Sequence, residues 1–173
     1  MQYRVRGTPV PTTRTRGTNY PKSTARVNDV ARYILENVDS SVSTMKLQKL
    51  VYYAQAWSLV WDEKPLFNSR IEAWANGPVC RDLYTCHRGE FTASIDMFPG
   101  DSTQLTADEK DTIDAVLAAY GHLNGQQLSD LSHNERPWRE AREGVADGAS
   151  STNEVSLEVM QDYYSAMQSA ASA

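Results

Sequence analysis

Hydrophobic and polar positions along the chain predict a mainly α-helical protein. Apolar residues recur three and four positions apart over most of its length, which is the spacing of a helix face. The longest such stretch begins near Thr44, an expected cap, and ends at Trp61. Its apolar stripe consists of Leu47, Leu50, Val51, Ala54, Trp57 and Trp61. Since Tyr52, Tyr53 and Val60 widen this stripe, we expect a central helix that is nearly surrounded, with Trp57 buried.

Capping signals place the starts of other helices. Ser23 or Thr24 is expected to cap the first helix. Thr106 and Glu109 match the capping box, in which the two side chains satisfy free backbone N–H groups reciprocally. Pro137 is expected to start a short helix late in the chain.

One run alternates as a strand does. Ile71 and Ala73 fall on its apolar phase and Trp74 on its polar phase, so this run, residues 70–75, is predicted to form a short hairpin with Leu66 and Phe67. Gly77 and Pro78 end the run. Pro78 suits the first turn of a following helix, because its missing N–H would lack a partner there anyway. The fold class is therefore a compact domain of about six helices with a small β-hairpin or short sheet.

Charge divides the chain into a basic arm and an acidic body. Residues 1–26 hold six Lys or Arg and no acid, whereas the rest of the chain holds 11 basic and 22 acidic side chains. The arm therefore carries +6 and the body −11. Because the arm is also rich in Gly and Pro, we expect it to be flexible, with residues 27–168 as the folded domain and 169–173 as a frayed tail.

Three interpretations of the arm stay open: contact with a partner protein, a solvated tail, and contact with nucleic acid. The acidic body repels the phosphates of nucleic acid. Positive charge alone, without a folded domain that contacts the bases, also gives little sequence specificity, so a partner protein is favoured. The candidate contacts in the arm are Tyr3, Arg4, Arg6, Arg14, Arg16 and Tyr20. Trp61, at a helix end, and Trp74 complete the candidate partner-binding set, because Trp and Tyr dominate interface energetics.

Candidate chemistry is sparse. Cys80, Cys86 and His87 lack the second ligand pair of a structural zinc site, so no metal or cofactor is predicted. Cys86 cannot use the adjacent His87 as a base on one helix, and a Cys86–His133 pair depends on folding that the sequence does not show. For His133 we favour a structural role that ties one helix end to the next helix start over a general base. No catalytic residue is therefore predicted.

Composition suits one domain in a reducing compartment. The chain has 173 residues and two cysteines, and no apolar run approaches the ~20 residues that span a bilayer. Its start does not resemble a signal peptide, so the cytoplasm is the expected compartment and no membrane partner is expected.

Four spaced motifs carry a family resemblance. They are KLQKLVYYAQ at residues 46–55, PLF at 65–67, IEAWANGPV at 71–79 and SHNERPW at 132–138. Together they resemble the Panacea (SocA-like) antitoxin domain family, which occurs in toxin–antitoxin operons and phages. The resemblance covers most of the chain from about residue 27 to 164. The motif residues to which it assigns a structural role are Leu47, Tyr53, Gly77, Pro78, His133, Pro137 and Trp138.

The resemblance implies an antitoxin that neutralises the toxin encoded by a neighbouring gene by direct protein binding. Toxins paired with this family include small alarmone-synthetase-like enzymes and poisons of translation or membranes. Some relatives instead act as adaptors that deliver the toxin to an ATP-dependent protease. The arm lies outside the resemblance and is too short to be the helix-turn-helix extension of some relatives. A nucleic-acid-binding regulator and a Cys86/His133 hydrolase are the competing classes of function.

Overall fold

Seven α-helices and one small sheet make up the part of the chain that the computed structural model describes, Tyr20 and residues 25–172. The elements are α1 (Val27–Glu36), α2 (Thr44–Trp61), β1 (Ile71–Trp74), β2 (Gly77–Cys80), α3 (Arg81–His87), α4 (Ala107–Tyr120), α5 (Gly125–His133), α6 (Arg136–Ala141) and α7 (Leu157–Ala171), with short 3₁₀ turns at Ile95–Met97 and Ser102–Gln104. This architecture confirms the mainly helical fold class with its small sheet. The sheet pairs β1 with β2, however, so the prediction that Leu66 and Phe67 form the other strand of the hairpin is wrong. The last helix continues three residues into the segment that was expected to fray.

Helix α2 is the centre of the fold. Every residue from Leu47 to Val60 is buried, and α4, α5, α7 and β2 pack around the helix. The prediction of a surrounded helix is thus confirmed, as is burial of Trp57, whose Nε1 donates to Tyr120 Oη at 2.9 Å. Burying one large apolar side chain contributes about 1.5–3 kcal/mol, so this helix is a main source of stability.

Complete burial leaves the polar side chains of α2 without water, so each one needs a partner inside the protein. Gln55 accepts from the backbone N–H of Leu66 at 2.7 Å and donates to the carbonyl of Phe67 at 2.9 Å. Gln48 accepts from the N–H of Cys80 at 2.9 Å, and its Nε2 lies 2.9 Å from His87 Nε2. These bonds fix the turn after α2 and the end of β2 against the central helix.

Two capping predictions differ from the structure. Ser43, and not Thr44, caps α2, with its Oγ accepting from the N–H of Lys46 at 3.1 Å. The Thr44 hydroxyl instead donates to the carbonyl of Glu90 at 2.9 Å, a contact from a distant loop. Helix α1 begins after Arg26, whose backbone N–H donates to the Asp29 carboxylate at 3.3 Å; Ser23 and Thr24 lie outside the described residues.

Two other helix starts match the predictions. The hydroxyl of Thr106 accepts from the N–H of Glu109 at 3.2 Å, and the Glu109 carboxylate accepts from the N–H of Thr106 at 2.8 Å, which completes the capping box of α4. Pro137 lies in the first turn of α6. Local sequence thus determines these two boundaries.

Pro78 lies in a strand, so the prediction that it starts a helix is wrong. In the antiparallel register Ala73 faces Pro78, and the Ala73 N–H donates away from β2, to the carbonyl of Asn153 at 2.8 Å. Ala73 and Pro78 therefore form a non-hydrogen-bonded pair, in which the missing N–H of proline costs no ladder bond. Residues 153–155 follow the outer edge of β1, with the Val155 N–H donating to the carbonyl of Ile71.

We predict that Gly77→Ala destabilises the protein far more than Gly148→Ala. Gly77 has φ of +113°, and a Cβ there would lie 2.6 Å from Cε of Lys49, a buried side chain bonded to the Pro78 carbonyl. Strain and overpacking together cost roughly 2–4 kcal/mol.

Gly148 is the matched control, because its φ of +75° also disfavours alanine but nothing lies within 4 Å of its Cβ position. Strain alone costs about 1 kcal/mol there. Urea unfolding of both variants measures the difference. Equal losses would show that the contact with Lys49 contributes nothing.

Candidate partner-binding site

Trp61 lies half-buried at the end of α2. Its ring stacks on Trp57 with centroids 5.0 Å apart, and its Nε1 donates to Gln168 Oε1 on α7 at 2.5 Å. The ring is thus held in one orientation while part of it faces solvent. That is the arrangement of an aromatic side chain that can contact a partner without first losing much rotational freedom.

Trp74 is also half-buried, at the end of β1. Its ring packs edge to face on Tyr84 of α3 at 4.7 Å, and its Nε1 donates to Glu72 Oε1 at 3.1 Å. Glu72 lies on the same face of β1 as Trp74, the face that the alternation predicts to be polar, but it is only 2% exposed. That face of β1 is therefore largely covered. Trp61 packs against α7 and Trp74 against α3, and the two rings share no contact in the described region.

Tyr20 is the only candidate of the arm within the described residues; Tyr3, Arg4, Arg6, Arg14 and Arg16 lie outside them. The Tyr20 hydroxyl donates to Gln161 Oε1 of α7 at 2.8 Å. Its side chain lines a groove of about 460 Å³ between residues 65–71 and the start of α7. Tyr20 therefore contacts the body of this chain.

A buried tyrosine cluster connects α2 to α6 and α7. The hydroxyls of Tyr53 and Tyr164 donate to Glu135 Oε1 at 2.5 and 3.0 Å, and the hydroxyls of Tyr52 and Tyr164 lie 3.0 Å apart. Glu135 is 4% exposed, and this burial raises the pKa of its carboxyl to about 7. Among the described residues, no basic group lies at hydrogen-bond distance from this carboxyl, and its bonds to Tyr53 and Tyr164 join the three helices.

The other motif residues also make structural contacts. Leu47 lies in the core, and the ring of His133 stacks on Trp138 at 4.2 Å. Trp138 Nε1 donates to the carbonyl of Trp74 at 2.9 Å, which holds α6 on the sheet. Burial lowers the pKa of His133, so its ring is neutral near pH 7. The stacking contact lies between α5 and α6, whereas His133 Nε2 has no hydrogen-bond partner among the described residues.

The cysteines do not form a nucleophilic site with His133 in the described structure. Cys80 is buried, and burial raises the pKa of its thiol to about 11. Cys86 Sγ lies 3.6 Å from Asn28 Oδ1 on α1, whereas His133 packs on α6. Because its pKa is raised, the Cys80 thiol forms little thiolate, which is the nucleophilic species. Between residues 25 and 172, no group of three or more His, Cys, Asp or Glu side chains is arranged to hold a metal ion.

Phe91 is an exposed aromatic residue that the sequence did not reveal. It is 81% exposed, the largest exposure of a big hydrophobic side chain among the described residues. It lies in the loop after α3, where no helical or strand periodicity surrounds it. Periodicity shows which residues of a helix or strand face the core. For an apolar residue outside every periodic stretch, it does not show whether the side chain is buried or exposed.

Comparison with known proteins identifies the family of the domain. The family model described as "Antitoxin SocA-like, Panacea domain" matches residues 47–139, from the first turn of α2 into α6. Antitoxin SocA of Caulobacter vibrioides (strain NA1000 / CB15N) is 32% identical over 124 residues, which is 63% of this chain and 66% of that protein. The chain thus spans just under two thirds of the length of this relative. No solved structure matches the chain significantly.

The described part of the chain contains no helix that is long and apolar enough to cross a bilayer.

We predict that Glu135 makes stability fall between pH 5 and pH 8. Its pKa is about 7 in the folded protein against an ordinary 4.5, so the folded state holds a proton that the unfolded state has lost. This contribution is fully present below about pH 4.5 and disappears as pH rises through 7, a loss of roughly 2 kcal/mol between pH 5 and 8.

Urea unfolding of the wild type and Glu135→Gln across this range measures the effect. The variant keeps the side-chain shape but cannot ionise, so the wild-type-minus-variant difference should decline with pH. A flat difference would mean that Glu135 does not titrate in this window.

Proposed function

Because this chain belongs to the SocA-like antitoxin family of the Panacea domain, we propose that it neutralises a cognate toxin by binding it directly. Family membership indicates an antitoxin role and suggests a non-enzymatic one. The observation that carries the proposal is the match over residues 47–139, which contains the central helix, the sheet and the contacts between α5 and α6. The partner is the toxin encoded by the neighbouring gene.

Charge supports an electrostatically guided encounter. Residues 25–172 hold 12 basic and 22 acidic side chains, a net charge of −10, and the arm adds positive charge at one end. A toxin with a basic surface would be attracted to the body, and acidic groups on it would be attracted to the arm. Complementary charge mainly raises the association rate and selects the partner.

The half-buried tryptophans supply anchors for the same complex. Trp61 is fixed by its bond to Gln168, and Trp74 by its bond to Glu72 and its contact with Tyr84. Ordered aromatic side chains lose little conformational entropy on binding, and they are enriched among the residues that carry interface energy. Both are therefore candidates for contact with the toxin.

Co-expression with the neighbouring gene tests the proposal. The neighbour alone should arrest growth, and this chain should restore growth and co-purify with it. Toxin abundance in rescued cells distinguishes two mechanisms: an unchanged level indicates blocking, and a level that falls only when an ATP-dependent protease is present indicates delivery to that protease. A neighbour that is not toxic, or a rescue without a complex, would argue against direct neutralisation.

We predict that the basic arm speeds toxin binding through charge. Replacing Arg4, Arg6, Arg14 and Arg16 with Ala should lower the association rate about tenfold or more at 50 mM salt, and much less at 500 mM salt, where charge is screened. The matched control replaces the same four residues with Lys, which keeps the charge. Stopped-flow binding to the purified toxin measures both. An Ala variant that associates as fast as wild type at low salt would show that the arm plays no part.

A further inference from the structure

Phe91 differs from the other two phenylalanines of the chain. Phe67 and Phe98 are fully buried, whereas Phe91 is 81% exposed. A single exposed apolar residue is common on protein surfaces and requires no explanation by itself. Whether Phe91 is a binding residue depends on how its backbone is held and on which residues lie beside it.

The backbone at Phe91 is hydrogen-bonded to residues 42–44. The Phe91 carbonyl accepts from the backbone N–H of Thr44 at 2.8 Å and from the Thr44 hydroxyl at 3.3 Å. Two residues on, the N–H of Ala93 donates to the carbonyl of Val42 at 2.9 Å, and Ser43 and Thr92 form an antiparallel bridge between them. The loop is thus attached to the start of the central helix, and a partner would need to order only the phenyl ring.

The neighbours of Phe91 in the sequence are exposed as well. Arg88, Gly89, Glu90 and Thr92 all face solvent, and Arg88 and Glu90 carry opposite charges. An apolar centre inside a polar, solvent-accessible rim is the ordinary anatomy of a protein interface. The arrangement fits an anchor residue better than a membrane contact, which would need a wider apolar or basic surface.

The start of α5 and the end of α4 are held against the same end of α2. Gly125, which starts α5, packs against that end so closely that a Cβ would lie 3.0 Å from Ser43 Oγ and 3.2 Å from the backbone N of Lys46. Lys46 Nζ donates to the carbonyl of Gly121 at 2.6 Å, which holds the end of α4 there too. An open groove of about 770 Å³ lies between α4 and α5 and is lined by Ala118, His122, Leu123, Gln127, Asp130 and Leu131.

We propose that Phe91 is the anchor by which this chain binds its toxin, inserting its phenyl ring into an apolar pocket on that protein. This inference rests on the proposed function and names the surface that performs it. The partner chemistry follows from the charges: an apolar pocket for one aromatic ring, bordered by basic groups that face the acidic body, since residues 25–172 carry −10. The acidic groups that attract the arm lie elsewhere on the toxin.

Binding of three variants to the purified toxin tests the anchor. Phe91→Ala should weaken binding on the order of 30-fold or more, the effect of truncating an interface hot spot. Phe91→Leu keeps apolar bulk and should stay within about tenfold of wild type, whereas Phe91→Lys should bind at least as poorly as Phe91→Ala. Because the side chain is exposed, all three should unfold at the wild-type denaturant midpoint, so a loss of binding reports the contact and not the fold.

Fluorine NMR supplies a readout within the wild-type protein. Labelling with 4-fluorophenylalanine gives three resonances, one from each phenylalanine. The Phe91→Leu variant identifies the Phe91 resonance by its disappearance. Adding toxin should shift that resonance and abolish its sensitivity to D₂O, while the resonances of buried Phe67 and Phe98 stay in place.

The two hypotheses fail in distinguishable ways. If the wild-type chain neither binds nor neutralises the toxin, direct neutralisation is wrong and the anchor is wrong with it. If the wild type binds but Phe91→Ala binds equally well, or the Phe91 resonance does not respond to toxin, the toxin binds elsewhere and only the anchor is refuted. Weakened binding by a normally folded Phe91→Ala, together with the selective fluorine shift, establishes the anchor.

Discussion

The fold depends on one constraint, which is that a helix buried on every side must have all of its polar side chains satisfied inside the protein. Helix α2 carries Gln48, Lys49, Gln55 and Ser58 in its buried stretch, and each bonds to backbone elsewhere in the domain. An unsatisfied buried polar group costs about 1–3 kcal/mol, more when it is charged. Each bond therefore requires a particular neighbouring segment to lie in a particular place, and the central helix organises the domain.

This constraint explains why the family motifs are spaced as they are. The first motif is the central helix; the second, at 65–67, supplies the backbone that Gln55 bonds. The third contains β1 and the first three residues of β2, where the Pro78 carbonyl accepts from Lys49 Nζ. The fourth carries Glu135, which accepts from Tyr53. The motifs thus comprise part of α2 and segments that bond to its buried polar side chains, so they are a signature of the fold.

The sequence predicted those parts of the structure that local physics determines. Periodicity and aromatic content identified α2, and the Thr106–Glu109 capping box marked the start of α4. Features set by distant contacts were missed. Thr44 is a good capping residue by type, but its hydroxyl bonds a loop carbonyl 46 residues away, and Ser43 takes its place. Pro78 fits a strand only because the register gives it a position with no ladder bond, which the local sequence does not specify.

The candidate surface was missed for the same reason, since exposure results from tertiary packing. Phe91 lies in an irregular segment and is an ordinary apolar residue by sequence. Only the bond from the Thr44 N–H to the Phe91 carbonyl and the bond from the Ala93 N–H to the Val42 carbonyl show that its backbone is held, while its ring is exposed. Those bonds come from the first turn of α2 and the residues just before it, so the helix that organises the core also stiffens the proposed anchor. Because the backbone of this loop is already held, binding loses little conformational entropy by ordering this chain. Affinity then depends on how well the partner's pocket fits the phenyl ring. One buried helix can thereby serve stability and recognition together.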